Sequence, residues 1–132
     1  MKPVSIGGGY ELLGSDSNDA GVGNVGFRTP LATLHAFNGW ADVFLATPPD
    51  GLQDIYGFAQ VTLPADVPLR LVYHKYEADD GGGDFGQEIN LLASKKFGKH
   101  WTVLAKYAYY DGKEAPARFD VPKIWAQLEF NF

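Results

Sequence analysis

The feature that most constrains the fold is an alternation of apolar and polar residues over the last nine positions of the chain. The apolar set comprises Ile124, Ala126, Leu128, Phe130 and Phe132, and the intervening set comprises Trp125, Gln127, Glu129 and Asn131. Successive side chains of a β-strand point to opposite faces, so a period of two residues predicts a strand with one apolar face. Large aromatic side chains are unfavourable in water, and we therefore expect this face to be covered.

Five further segments alternate in the same way and indicate that the whole chain is built from strands. They span residues 4–13, 53–63, 67–76, 87–96 and 101–110. Turn-forming residues at 64–66 and 97–100 join two pairs of these segments closely. The pattern predicts an all-β fold, an antiparallel up-and-down meander of six to eight strands, in one domain that covers residues 1–132.

The lengths of the connections indicate where such a sheet resides. Short connections at 64–66 and 97–100 alternate with long polar ones at 77–86 and 111–121, and the longest runs from about residue 14 to residue 52. Outer-membrane β-barrels have short periplasmic turns and long extracellular loops. We therefore expect a barrel, or part of one, in the lipid of the outer membrane of a Gram-negative bacterium. The terminal strand resembles the C-terminal signal of these barrels, which implies contact with the barrel assembly machinery.

The long segment from about residue 14 to residue 52 leaves the number of strands open. Apolar residues at helical spacing predict a short helix in the barrel lumen or over its extracellular rim, and they are Leu31, Leu34 and Phe37. Alternatively, residues 26–31 and 42–47 are two more strands, which gives eight. Since six strands are too few to close a membrane barrel, the others come from this segment, from other chains in an oligomer, or from a larger barrel of which this chain is the C-terminal segment. The absence of an export signal at the start predicts that a signal was removed or that the chain is such a segment.

Composition excludes several classes of function. The apolar runs fall far short of the ~18 residues of a membrane-spanning helix, and a net charge of −5 disfavours nucleic acid as a partner. Without cysteine there is neither a disulfide framework nor a thiolate metal site. The three histidines share no metal-ligand spacing, and no serine lies in a nucleophile-elbow sequence. We therefore expect no enzymatic activity, no metal and no cofactor.

Charged and aromatic residues divide between the two faces of the predicted sheet. The charged residues expected to line the lumen are Arg70, His74, Lys96, Lys106, Lys123, Glu88 and Glu129. The aromatic residues expected at the membrane interfaces are Tyr73, Trp101, Tyr107, Tyr109, Phe130 and Phe132. In a water-filled lumen the first set would tune ion selectivity, whereas the alternative is a salt-paired, solvated face without a transport role. The acidic segment 77–86 is predicted to be a hydrated surface loop rather than a calcium site.

Several stretches of the sequence resemble the C-terminal region of the alginate-export family of outer-membrane proteins and its porin-like relatives. They are residues 9–16, 27–42, 51–56, 69–74 and 106–111. The runs Thr-Pro-Leu-Ala-Thr-Leu-His and Phe-Asn-Gly-Trp-Ala-Asp, within 27–42, carry the most specific likeness. The resemblance covers only about the last third of a typical member and implies a larger, monomeric barrel. It implies passive passage of polar solutes, anionic oligosaccharide among them, through a charged lumen. Two alternatives stay open, a soluble all-β barrel that binds a small apolar ligand and a structural outer-membrane barrel that does not conduct.

Overall fold

The computed structural model describes residues 4–16, 25–27, 34–114 and 118–132, and in these the chain is built almost entirely of antiparallel strands. The strands are β1 (Val4–Leu13), β2 (Ser15–Asp16), β3 (Val25–Gly26), β4 (Leu52–Leu63), β5 (Val67–Glu77), β6 (Asp84–Phe97), β7 (Trp101–Gly112) and β8 (Val121–Phe130). Six of them form one sheet in the order β1-β4-β5-β6-β7-β8, and β2 pairs with β3 in a second, two-stranded sheet. The predicted all-β meander is therefore confirmed. The sheet is open, with β1 and β8 as its edges, and it is not closed into a barrel.

The strand boundaries differ from the predicted ones mainly at the end of the sheet that carries the long connections. β6 begins at Asp84 and β7 continues to Gly112, so the connections there shorten to 78–83 and 113–120. The 3-10 turn Pro64–Asp66 and the turn after Phe97 join the strands at the opposite end of the sheet. Among the described residues, no helix has the length and apolar character needed to cross a membrane.

Neither structure predicted for the long segment, the short helix or the two additional strands, is present in full among the described residues. Of the predicted helix, one 3-10 turn spans Leu34–Ala36, while residue 31 lies outside the described residues. The alternative strand at 42–47 is wrong, because this stretch consists of turns and bends. Asp42 has a φ of 62°, in the left-handed region that a strand does not use. The alternative strand at 26–31 is reduced to β3, and its residues 28–31 also fall outside the described part.

Cross-strand register assigns every side chain of the large sheet to one of two faces. On the outer face, one row of partners is Ile6, Ala59, Leu71, Leu91, Tyr107 and Ile124. On the inner face, the neighbouring row is Gly7, Phe58, Val72, Asn90, Ala108 and Lys123. Because side chains alternate along each strand, these two rows define the outer face and the inner face of the sheet, except at the start of β6, where a register shift opposite Tyr76 and Glu77 accompanies the burial of Phe85 in the core.

The core lies between the inner face and residues 34–50, which we call the strap. Phe44 of the strap packs at ring-centroid distances of 4.6 Å from Tyr76 and 5.8 Å from both Phe85 and Tyr110. All four side chains are buried. Burying a phenylalanine against aromatic rings removes a large apolar area from water. The strap is therefore fixed to the end of the sheet that carries the long connections.

Candidate functional site

The outer face is apolar across the middle of the sheet and open to the surroundings. Ile6 and Ile124, at opposite edges of the same row, are 80% and 78% exposed. The next row towards the short turns is Val4, Val61, Leu69, Ala93, Ala105 and Ala126. Neither row contains a charged side chain, and the hydroxyl of Tyr107 is the one polar side-chain group in them. A contiguous apolar surface of this extent is rare on proteins that face only water.

Charged side chains within the six long strands lie mostly on the inner face. The inner set comprises Glu11, Asp54, Arg70, His74, Glu88, Lys96, Lys106, Lys123 and Glu129. It includes all seven residues that the sequence predicted to line a lumen. The charges on the outer face, Lys75, Glu77, Lys95 and Asp111, lie near strand ends, as does Asp84, the first residue of β6, which pairs with Lys75. Lys95 extends over the ring of Phe97 at 5.0 Å, as a lysine does at an apolar boundary.

The aromatic residues predicted for the membrane interfaces lie on the outer face or just beyond it. Tyr73 and Tyr109 occupy one row near the long connections, and Tyr107 follows one row further in. At the other end, the rings of Trp101 and Phe130 lie 4.7 Å apart. Phe132 extends beyond β8 and is fully exposed. The apolar surface is thus bordered by aromatic rings at both ends.

Hydrogen bonds join the strap to carboxylates of the inner face. The backbone N–H of Ala41 donates to Oε1 of Glu88 at 2.8 Å, and Nδ2 of Asn38 donates to Oε2 of Glu11 at 2.7 Å. The hydroxyl of Tyr76 donates to the backbone carbonyl of Asn38 at 3.0 Å. Glu88, Asn38 and Tyr76 are buried, so these bonds are shielded from water and hold the strap in one position.

A second cluster ties the strap to β7 and β8 through Asp42. The Asp42 carboxylate accepts a hydrogen bond from Nζ of Lys123 at 2.8 Å and contacts Nδ1 of His35. Nζ of Lys106 lies 2.8 Å from Nε2 of His35 and 4.6 Å from the ring centre of Trp40. Burial alone would raise the pKa of Asp42, but the hydrogen bonds from Lys123 and His35 outweigh it and lower this pKa below 3.8.

An acid–histidine pair lies behind the strap. Nδ1 of His74 is 2.8 Å and 3.0 Å from the two carboxylate oxygens of Asp54, and the residues are 5% and 1% exposed. The imidazole stacks on the ring of Tyr76 with an interplanar angle of 10°. A carboxylate accepts hydrogen bonds, so it holds a proton on Nδ1 and fixes the orientation of the imidazole ring.

The predicted lumen-lining residues lie partly in the polar contacts beneath the strap, partly in the Asp42 cluster and partly on the more exposed inner face. His74 and Glu88 join the buried polar pairs beneath the strap, while Lys106 and Lys123 join the Asp42 cluster. The others remain more exposed, and they are Arg70, Lys96 and Glu129. The seven residues share one face of the sheet, and their lining of a lumen stays a prediction. The strap partners of four of them, which include Asn38, Asp42 and His35, were not predicted from the sequence. Those contacts join residues up to 81 positions apart, and no local pattern signals them.

The acidic connection is held by structural contacts within the described residues. The carboxylate of Asp79 accepts a hydrogen bond from the backbone N–H of Ser15 at 3.1 Å, and Asp84 pairs with Lys75. In the part of the chain that the structure describes, no group of three or more His, Asp or Glu side chains could hold a metal ion. Comparison with protein-family models, with curated proteins and with solved structures finds no match to this chain.

Proposed function

We propose that this chain forms part of the wall of an outer-membrane β-barrel of porin type, through which polar solutes pass without chemical change. The observation that supports this function best is the division of the sheet into an apolar outer face and a charged inner face. In a membrane barrel, outward side chains meet lipid and inward side chains meet water, so the two faces alternate along every strand. The resemblance to the alginate-export family points to the same class.

The dimensions of the outer face fit a bilayer. On β7, outward side chains from Trp101 to Tyr109 cover eight residue steps, which is ~26 Å at a rise of ~3.3 Å per residue. A tilt of roughly 40° reduces this to ~20 Å along the membrane normal, close to the apolar band of ~25 Å that membrane barrels present. The rings of Trp101 and Phe130 would lie at one interface, and those of Tyr73 and Tyr109 at the other.

The open edges require further strands if the sheet lies in lipid. Unpaired backbone N–H and C=O groups at β1 and β8 would each cost several kcal/mol in a hydrocarbon environment. Closing these six strands on themselves would leave no room for the strap, because even eight strands enclose a space that side chains fill. The barrel that we propose is therefore wider and is completed by strands beyond these six.

A non-conducting structural barrel is the second candidate, because one observation favours it. The strap and its aromatic contacts already fill part of the inner face at the end with the long connections. The soluble ligand-binding barrel has less support. Such a barrel has an apolar interior, whereas here the face that packs against the strap carries most of the charged side chains.

Two measurements on the purified chain test the proposal in sequence. We expect the chain to require detergent for extraction and to migrate differently on a denaturing gel before and after heating. In planar bilayers, where several copies of the chain can complete one barrel, it should then produce single-channel conductance steps. A heat-shifted band without conductance would support the structural barrel, and a freely soluble protein without a heat shift would contradict both membrane candidates.

A further inference from the structure

The large sheet ends at β1 and β8, and the outer edges of these strands pair with no strand in the part of the chain that the structure describes. Each edge carries a row of backbone N–H and C=O groups that point away from the sheet. These groups need partners wherever water does not reach them. Both strands are 10 residues long, so the two edges are matched in length.

Strand direction makes the two edges complementary. The six strands alternate in direction along the sheet, so β1 and β8 run antiparallel to each other. When a second copy stands beside the first with the same face outward and its short turns at the same end, its β1 lies antiparallel to β8 of the first copy. Every neighbouring pair within the sheet already has this arrangement. An odd number of strands would instead bring two parallel edges together.

Pairing of like edges gives a different arrangement. Two β1 strands, or two β8 strands, pair antiparallel only when one copy is turned upside down. The long connections would then project from both sides of the sheet, whereas the long loops of an outer-membrane barrel lie on one side. This step rests on the proposed function. It leaves β8 of one copy and β1 of the next as partners, a head-to-tail contact that forms a ring when the rotation between copies closes.

The register of the sheet carries a stagger between its two edges. On β1, the strand end at the short turns is Val4, two residues from Ile6. On β8, the corresponding end is Phe130, six residues from Ile124, which lies in the same cross-strand row as Ile6. The two strand ends are therefore displaced by four residues across the five spacings of the sheet. A closed barrel requires such a stagger, because its strands tilt against the barrel axis.

The stagger and the tilt together set the offset from one copy to the next. The contact between copies adds one more spacing and must keep the outer face outward, so the total offset is an even number of residues. At ~3.3 Å per residue and ~4.8 Å between strands, an offset of about four residues over the six strands gives a tilt of ~25°, and an offset of about six gives ~35°. Barrel strands tilt by roughly 35–45°, which selects the larger offset.

We propose that β8 of one copy pairs with β1 of the next at this offset, and that copies joined in this way close one barrel. Residues 4–13 then lie opposite residues 123–132 in antiparallel order, so every residue of β1 has a partner. The backbone N–H of Asn131 donates to the carbonyl of His100 at 2.8 Å, which keeps the chain attached to the sheet beyond the end of β8. Pro122 falls just outside the ladder, where its missing N–H costs no hydrogen bond between copies.

The outer side chains that meet at this contact are complementary in size. Tyr10 lies opposite Ala126, and Leu128 lies opposite Gly8, so a large side chain meets a small residue in both pairs. Within a single copy, Tyr10 is 57% exposed and Leu128 is 64% exposed. Pairing of the copies therefore covers apolar surface as well as the backbone edges.

Disulfide cross-linking tests the register, because the chain has no cysteine of its own. We expect a variant with both Ser5→Cys and Asn131→Cys to form disulfides between copies when the folded full chain is oxidised, since directly opposite residues have Cα atoms ~4.5–5.5 Å apart. Within one copy the two positions lie at opposite edges of the sheet, ~24 Å apart, which no disulfide spans. A denaturing gel without reductant should show a ladder of bands that ends at one largest species, the closed ring.

Two displaced variants serve as matched controls. Ser5→Cys combined with either Glu129→Cys or Gln127→Cys places both thiols on the inner face but out of register, with Cα atoms ~8 Å or more apart. All of the substituted side chains are exposed, so the variants should fold alike. The displaced variants should cross-link at least about tenfold less than the Asn131→Cys variant. A mixture of the single variants Ser5→Cys and Asn131→Cys should yield dimers and nothing larger.

Three results would overturn the proposal. Strongest cross-linking of a displaced variant would show a different register. Dimers of Ser5→Cys alone would show that like edges pair. A ladder without a largest band would show an open fibre rather than a ring.

The heat-shift gel, run on the same preparation, separates the two proposals. A heat-shifted protein in which no variant cross-links would overturn the pairing between copies and leave the outer-membrane barrel intact, with its edges completed by other strands. A freely soluble protein that shows the expected ladder would support the pairing and overturn the outer-membrane function.

Discussion

At Gly39 the backbone of the strap lies directly against side chains of the sheet. Its φ is +91°, and a Cβ built there would meet the hydroxyl of Tyr76 and the carboxylate of Glu88. Glycine is required here for two separate reasons, the left-handed conformation and the lack of space. Gly81 has a similar φ of +80° but no atom within 4 Å of a built Cβ. A substitution at Gly81 therefore measures the cost of the left-handed conformation alone.

Alanine at these two positions should therefore have different effects on stability. We expect Gly81→Ala to lower the free energy of unfolding by about 1 kcal/mol, the cost of a left-handed side chain. Gly39→Ala should lower it by about 3 kcal/mol, since the strap must also move away from Tyr76. Urea titration in lipid vesicles, followed by tryptophan fluorescence, measures both. Equal losses would show that the strap does not approach the sheet as closely as described.

The stability of the folded protein depends on pH through Asp42 of the strap. Its folded pKa is lowered, so the stability that its pairs contribute is present above the ordinary value of 3.8 and is lost as pH falls through the lowered pKa. Asp42→Asn tolerates the left-handed backbone but removes the charge. We expect it to cost about 0.5–1 kcal/mol at pH 7, and the difference from the unmodified protein should shrink as the pH falls through the lowered pKa. A difference that stays constant with pH, measured by the same urea titrations, would contradict this role.

At the scale of single elements, β6 shows how adjacent residues meet different surroundings. Leu91 lies on the outer face in the middle of the apolar surface, and Leu92 lies on the inner face. Leu91→Arg should lower the free energy of unfolding in vesicles by about 2–4 kcal/mol, because it places a charge in the bilayer. Leu92→Arg should cost less than about 1 kcal/mol. A larger loss for Leu92→Arg would mean that the faces have been assigned the wrong way round.

The strap depends on one anchoring side chain. Phe44 contacts three buried aromatic rings, whereas the adjacent Leu45 is exposed. Phe44→Ala should lower the free energy of unfolding by roughly 3 kcal/mol and make the strap susceptible to protease, because the vacated space leaves a cavity. Leu45→Ala serves as the control and should change neither. Unchanged protease resistance of Phe44→Ala would show that other contacts hold the strap.

The elements differ in how far the sequence could predict them. Alternation predicted the faces of β4 to β8, apart from the start of β6, because each side chain of a strand has only two directions. It could not place the strap, since Asp42 and Phe44 alternate like strand residues yet adopt turns. The position of Phe44 depends on a space between Tyr76, Phe85 and Tyr110 that exists only once the strands have paired. The pair between Asp54 and His74 was missed for a similar reason, because it joins neighbouring strands diagonally.

At the scale of the whole molecule, the sheet has an apolar outer face, a charged inner face and two open edges. An exposed apolar surface of this extent is rare on proteins that face only water, and unpaired strand edges are costly in lipid. The sequence anticipated the meander and the alternation of short and long connections. The strands that would pair with the edges β1 and β8 could not be predicted, because strands that pair in a sheet need not be adjacent in the chain.

The most direct test of the account is whether lipid touches the outer face. Trp101 lies on the outer face and Trp125 on the inner face, so variants that retain only one of them, with phenylalanine at the other tryptophan positions, form a matched pair. In vesicles that contain brominated lipid, we predict strong quenching of Trp101 fluorescence and weak quenching of Trp125 fluorescence. Equal, weak quenching of both tryptophans would contradict the account.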